Sequence, residues 1–224
     1  MVFVLIPGAG GNASYWQLLA PELRSRGHDV VAVDLPAADD GAGLREYADA
    51  VVEAIGERTG VRLVAQSMGG LTAPLVCERV PVDEIILVNA MIPVPGETGG
   101  DWWANTGQDE AKRELDLREG RDPDAAFDPL VCFFHDVPAD VTETAMAEPV
   151  PQSDTPFGEP WPLDGWPDVP TRVLSSADDR LFPYDFQVRV ARERLGITPE
   201  RIPGGHLVAL SRPKDLADAI EAAR

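Results

Sequence analysis

Six short runs of apolar, often β-branched residues recur along the chain, at about residues 2–6, 29–34, 61–66, 84–89, 171–176 and 199–202. Most are followed by a stretch of helical periodicity. Trp16, Leu18, Leu19 and Leu23 fall on one side of a helix that stops near Gly27, and Leu44, Tyr47, Val51, Val52 and Ile55 keep the 3- and 4-residue spacing of an amphipathic helix. The strand runs are almost continuously hydrophobic, as strands covered on both faces must be. Strand and helix alternating in this way require crossover connections, which are right-handed and put neighbouring strands parallel. The expected fold is therefore α/β: a mostly parallel six-stranded sheet with helices on both faces.

One stretch interrupts the alternation. Between Asn89 and Thr171 lie 81 residues without a convincing strand, holding 12 of the 21 prolines and four of the five tryptophans (Trp102, Trp103, Trp161 and Trp166). A structureless loop of that length does not fit a compact domain. It reads instead as an inserted lid over residues 91–170, with helix expected around 108–119 and 139–147, on a core formed by residues 1–90 and 171–224.

Two glycine-containing turns compete for the chemistry. The first, Gly8-Ala9-Gly10-Gly11-Asn12-Ala13, satisfies G-x-G-x-x-A after a strand, and Asp34 closes the next strand, as in a dinucleotide-binding unit. Any tight strand-to-helix turn favours glycine, so the match alone is weak. The second, Ala65-Gln66-Ser67-Met68-Gly69, has the strand–turn–helix setting of a nucleophile elbow, with Ala65 where glycine is usual. A buried or helix-capping serine would look much the same. A serine nucleophile needs a histidine base and a carboxylate to orient it. Of three histidines, His28 sits in a turn and reads as structural, and His135 lies in the lid beside Asp136. His206 follows the last strand in Pro203-Gly204-Gly205-His206. Asp178 and Asp179 follow the fifth strand. The ordered set of Ser67, an aspartate and His206, on three separate strand ends, favours acyl transfer. No Tyr-x-x-x-Lys pair supports a short-chain dehydrogenase.

With those residues in view, the whole chain resembles the α/β-hydrolase superfamily, most of all the small-lidded branch of hydroxynitrile lyases and methyl-ester esterases. The resemblance implies a Ser67–His206–Asp179 triad, because the acid in this superfamily commonly sits four residues before a proline such as Pro183. It also assigns the oxyanion-hole amides to Ala9 and Met68. The family's His-Gly-x loop is here Pro7-Gly8-Ala9. Plant lyases of the branch carry a lysine directly after the histidine, and this chain has Leu207. The expected activity is hydrolysis of a small apolar or aromatic ester. The alternative is a hydroxynitrile-lyase-like or other non-hydrolytic lyase on the same triad; further off stand a low-turnover small-molecule-binding or biosynthetic accessory protein and an NAD(P)-binding oxidoreductase.

The lid's aromatic inventory suggests a substrate wall of Trp102, Trp103, Phe134 and His135, although rings that pin the lid to the core would give the same composition. Charge narrows the partners. Lys and Arg number 19 against 38 Asp and Glu, a formal net charge of −19, which repels phosphate backbones and anionic lipid. A small-molecule partner is expected, with neither nucleic acid nor membrane. No apolar run approaches the roughly 20 residues that span a bilayer. The opening apolar run is too short for a signal-peptide core, so the expected location is cytoplasmic. With Cys77 and Cys132 alone, neither a disulfide framework nor a cysteine-based metal site is expected. The proposed chemistry needs no cofactor.

Overall fold

The computed structural model of the protein describes residues 1–147 and 151–222. Each apolar run forms a strand: β1 (Val2–Ile6), β2 (Asp29–Ala32), β3 (Val61–Gln66), β4 (Glu84–Val88), β5 (Thr171–Ser176) and β6 (Glu200–Ile202). They make one sheet in the order β2-β1-β3-β4-β5-β6, and every neighbouring pair is parallel. Ahead of the insertion, the helices are α1 (Leu19–Ser25), α2 (Leu44–Ile55) and α3 (Gly69–Val76).

Side-chain alternation along the strands sorts the core into two layers. Val4, Ile6, Leu63, Ala65, Ile85 and Leu87 face one side, packing with Leu44, Tyr47, Val51 and Ile55 of α2 and with α3. Phe3, Leu5, Val64, Ile86, Val88 and Leu174 face the other, where they meet Trp16 and Leu19, Ala20 and Leu23 of α1. The central strands are sealed by both layers, which is why their sequences lack a polar face.

The insertion between β4 and β5 is helical: α4 (Gly99–Thr106), α5 (Gln108–Arg118), α6 (Pro129–Cys132), α7 (Ala139–Ala147) and α8 (Thr155–Gly158). Helices fall where they were expected around 108–119 and 139–147. The chain then returns to the sheet domain through α9 (Tyr184–Leu195), α10 (Val208–Ser211) and α11 (Pro213–Glu221). Leu216, Ala217 and Ile220 of α11 complete the second layer. Because the strands are parallel, the turns after β1, β3, β5 and β6 all emerge at one edge of the sheet, where open α/β folds build their sites.

Candidate active site

β3 ends at Gln66 and α3 begins at Gly69, so Ser67 and Met68 must turn the chain almost at once. Ser67 takes φ 51, a left-handed conformation uncommon for a residue with a Cβ. Its carbonyl accepts from Gly70 N–H at 3.1 Å and Met91 N–H at 2.9 Å, which holds the turn from inside. Two glycines permit the tightness. A Cβ on Gly69 would lie 2.8 Å from Pro7 O and 2.9 Å from Ile6 O, and one on Gly70 would strike Met91 O. The strain lifts a single hydroxyl out of the sheet.

That hydroxyl meets a buried relay. Ser67 Oγ lies 3.1 Å from His206 Nε2, and His206 Nδ1 lies 2.8 Å from Asp179 Oδ2. The carboxylate is fixed in turn, because Asp179 Oδ1 accepts from Leu181 N–H and Phe182 N–H, each at 2.8 Å. Asp179 is 1% exposed and His206 2%, so their interaction is little screened by solvent. Asp178, one residue earlier, is exposed, and its N–H donates to Gly204 O at 3.0 Å. Asp179 is thus the aspartate that faces the imidazole.

The first glycine turn comes up against the serine. A Cβ on Gly8 would lie 2.8 Å from Ser67 Cβ and 2.6 Å from Gln66 Oε1, so glycine is what lets the loop approach. Among the described residues, the N–H groups of Ala9 and Met68 donate to no protein acceptor. Asp34, the candidate ribose ligand of a dinucleotide site, instead accepts from Ala13 N–H at 2.7 Å and closes the turn.

The expected substrate wall needs correction at Trp102. Its side chain is fully buried, its Nε1–H donates to Ile92 O at 3.0 Å, and its ring packs against Trp103, Phe182 and Phe186. It belongs to the core. Trp103, one position on along α4, is half-buried, and its ring lies 5.6 Å from that of Phe182. Phe182 in turn lies perpendicular to His206, with the ring centroids 5.1 Å apart. Phe134 is half-buried, but the ring that stacks on His206 is that of Phe133, at 5.3 Å and 30°. His135 reaches the loop before His206: a Cβ on Gly205 would lie 2.6 Å from its Nε2. Burial pushes the His135 imidazole below its ordinary value, and the nearby Arg180 guanidinium pushes it the same way. His28 is remote from the triad and pairs with Glu221.

Other contributors carried no motif. Asn89 stands in the left-handed region at φ 46 just after β4. Its Nδ2 donates to Ser176 Oγ at 2.8 Å and to Gly205 O and His206 O at 3.2 Å, while its Oδ1 accepts from Ser176 N–H. Gln66 Nε2 also donates to His206 O, at 3.3 Å. A polar residue closing an otherwise apolar strand was the one available signal for Asn89. Of the two lysines, Lys112 is engaged by Asp116 at 2.7 Å, and Lys214 is exposed on α11.

Comparison with known proteins gives the family and the fold. A family model described as "Alpha/beta hydrolase family" matches residues 3–219. The chain is 28% identical to a pyrethroid hydrolase of Sphingobium wenxiniae, over 97% of this chain and 85% of that one. It is 24% identical to norfluorocurarine synthase 1 of a Strychnos species, over 98% and 93%. Among solved structures, polyneuridine aldehyde esterase superposes with a TM-score of 0.77 at 23% identity, covering 98% of this chain and 97% of that one.

Proposed function

The chain belongs to the alpha/beta hydrolase family, and from that premise we propose that it hydrolyses small apolar or aromatic carboxylic esters through an acyl-enzyme on Ser67. The observation that carries the reading is the continuous relay from Ser67 Oγ to His206 at 3.1 Å and on to Asp179 at 2.8 Å. In this mechanism His206 Nε2 takes the serine proton as Oγ attacks the ester carbonyl, forming a tetrahedral oxyanion. The free amides of Ala9 and Met68 are the donors offered to that oxyanion, and one such donor is typically worth about 10²–10³ in rate. His206 then gives the proton to the departing alkoxide, and the alcohol leaves. Water, deprotonated by the same imidazole, attacks the acyl group and frees the acid and Ser67. Throughout, Asp179 holds the Nδ1–H tautomer and supports the transient imidazolium.

The substrate class rests on apolar rings beside the base, Phe133, Phe182 and, behind them, Trp103. Relatives named as a hydrolase and an esterase, the pyrethroid hydrolase and, over 42% of this chain, methyl jasmonate esterase 1 of Vitis vinifera, support the same class. The test is fluorophosphonate labelling with the adduct mapped by mass spectrometry, alongside turnover of short aryl esters. Labelling at Ser67 is expected, and Ser67→Ala should cut turnover by about 10⁶ while leaving the melting temperature in place. Labelling elsewhere, or Ser67-dependent release of cyanide from mandelonitrile without ester cleavage, would overturn the reading.

A further inference from the structure

The two loops that flank Ser67 are built on glycine pairs, and glycine is the residue least able to hold a backbone in one conformation. Gly204 (φ 105) and Gly205 lead into His206, while Gly10 (φ 83) and Gly11 (φ 50) follow Ala9. Among the described residues, the inserted region reaches each loop with one side-chain acceptor. Asp136 Oδ2 accepts from Gly205 N–H at 2.8 Å, one residue from the base. Gln152 Oε1 accepts from Gly10 N–H at 2.9 Å, one residue from the Ala9 amide.

Gln152 is itself held, whereas the Asp136 carboxylate makes no second bond and its Oδ1 is buried without a partner among the described residues. Phe133, on the same turn as Asp136, stacks on His206, and the fit around Gly205 leaves no room for a Cβ, which would lie 2.7 Å from Asp136 Oδ1. Gln152 Nε2 donates to Tyr47 Oη at 3.0 Å and to Ser153 O at 2.8 Å, and Ser153 N–H donates to Ala37 O at 2.7 Å. From the core side, Gln66 and Asn89 already fix the His206 carbonyl. Asp136 supplies the opposing hold, through the Gly205 amide.

We propose that Asp136 and Gln152 are positioning residues, through which the inserted region sets the glycine loop of the base and the glycine loop of the oxyanion donor. The proposal rests on the ester-hydrolase reading. Neither residue touches the reacting atoms; each acts through a backbone amide next to a group that does. A misplacement of about 1 Å at such a group can cost about 10² in rate.

The experiment measures kcat and KM on an aryl ester, and fluorophosphonate labelling of Ser67, for the wild type, D136A, D136N, Q152A and the D136A/Q152A pair. It adds the low-field proton resonance of His206 Nδ1–H in the free proteins. D136A is expected to lose about 10–10² in kcat with KM little changed. It should also lose that resonance to solvent exchange. D136N, whose amide oxygen can accept the same N–H, should recover both. Q152A should lower kcat by about tenfold and keep the resonance, since it acts on the oxyanion side. The double variant should fall below either single one. A D136A protein with wild-type kcat and an intact resonance would overturn the proposal, as would D136N as impaired as D136A. If D136A does not fold, D136N decides: retention of kcat and of the resonance supports the role, and loss of either overturns it. A wild type that is not labelled at Ser67 overturns the ester-hydrolase reading and the positioning roles with it. A labelled wild type with unaltered variants overturns the positioning roles alone.

Discussion

The sheet domain and the inserted region are held by different physics. β4 and β5 are buried along their whole length, between two layers of packed apolar side chains. The inserted region is attached along its base, where Met91, Ile92, Trp102, Trp161 and Leu163 join the core and specific polar bonds are added. Trp102 and Trp161 sink into the core, each indole N–H donating to a backbone carbonyl at 3.0 Å. The buried Glu97 pairs with Arg194 of α9, and Gln108 Nε2 donates to Leu181 O at 2.5 Å. Beyond these, α7 buries no residue, and Leu117, Phe127, Leu130, Val131 and Met146 stand exposed. The contrast shows that a region can border an active site with its base packed into the core and its outer helix, α7, left outside it.

The largest way to sharpen the contrast is at the sheet. Asp179→Asn is expected to reduce turnover by about 10⁴ through the wrong imidazole tautomer. Steady-state kinetics check this, and a loss below tenfold would show that the carboxylate does not govern His206. Next comes Trp102→Ala, which removes a fully buried indole and should cost about 3–5 kcal/mol. Denaturant unfolding with one cooperative transition would show that the base of the inserted region is thermodynamically part of the core. Two transitions would break that identity.

Glu97→Gln follows, because it leaves Arg194 facing a neutral group in a buried setting, at about 3 kcal/mol. Burial tends to raise the Glu97 carboxyl, but hydrogen bonds from Arg194 and Asn105, with the Arg194 charge, outweigh it and hold the group below its ordinary 4.5. A lowered folded value means that the stabilisation is complete above the ordinary value and is lost as pH falls through the lowered one. The stability gap between wild type and variant should therefore be constant near neutrality and close in acid. A gap independent of pH would contradict the assignment. The smallest effect is expected at Trp103→Ala: a severalfold rise in KM for aryl esters, with kcat and stability near wild type, since Trp103 is half-buried beside Phe182.

These differences also explain what could be read before the structure. β3 and β4 were legible because burial on both faces leaves unbroken runs such as Glu84-Ile85-Ile86-Leu87-Val88. Ser67, Asp179 and His206 were legible because each stands just past a strand, at the edge where parallel sheets collect their loops. Trp102 and Trp103 were not separable. Neighbours on a helix point about 100° apart, and composition does not say which one faces the core. Asp136 and Gln152 carried no signal, since their partners lie 69 and 142 residues away. A single polar contact leaves no periodicity.

The position of β6 has a consequence for how the molecule opens. It has three residues and one neighbour, β5, and His206 follows shortly after it, whereas Ser67 leaves β3, which is paired on both sides by β1 and β4. The buried Arg172 fastens this margin, donating to the Glu200 carboxylate and to the carbonyls of Ala219 and Ile220. Amide hydrogens at such a margin exchange through small openings, while those of central strands wait for global unfolding. Amide exchange is therefore expected to be faster in β6 than in β3, and peptide-resolved hydrogen exchange checks this: equal protection would show that the strand carrying the base is as secure as the strand carrying the nucleophile.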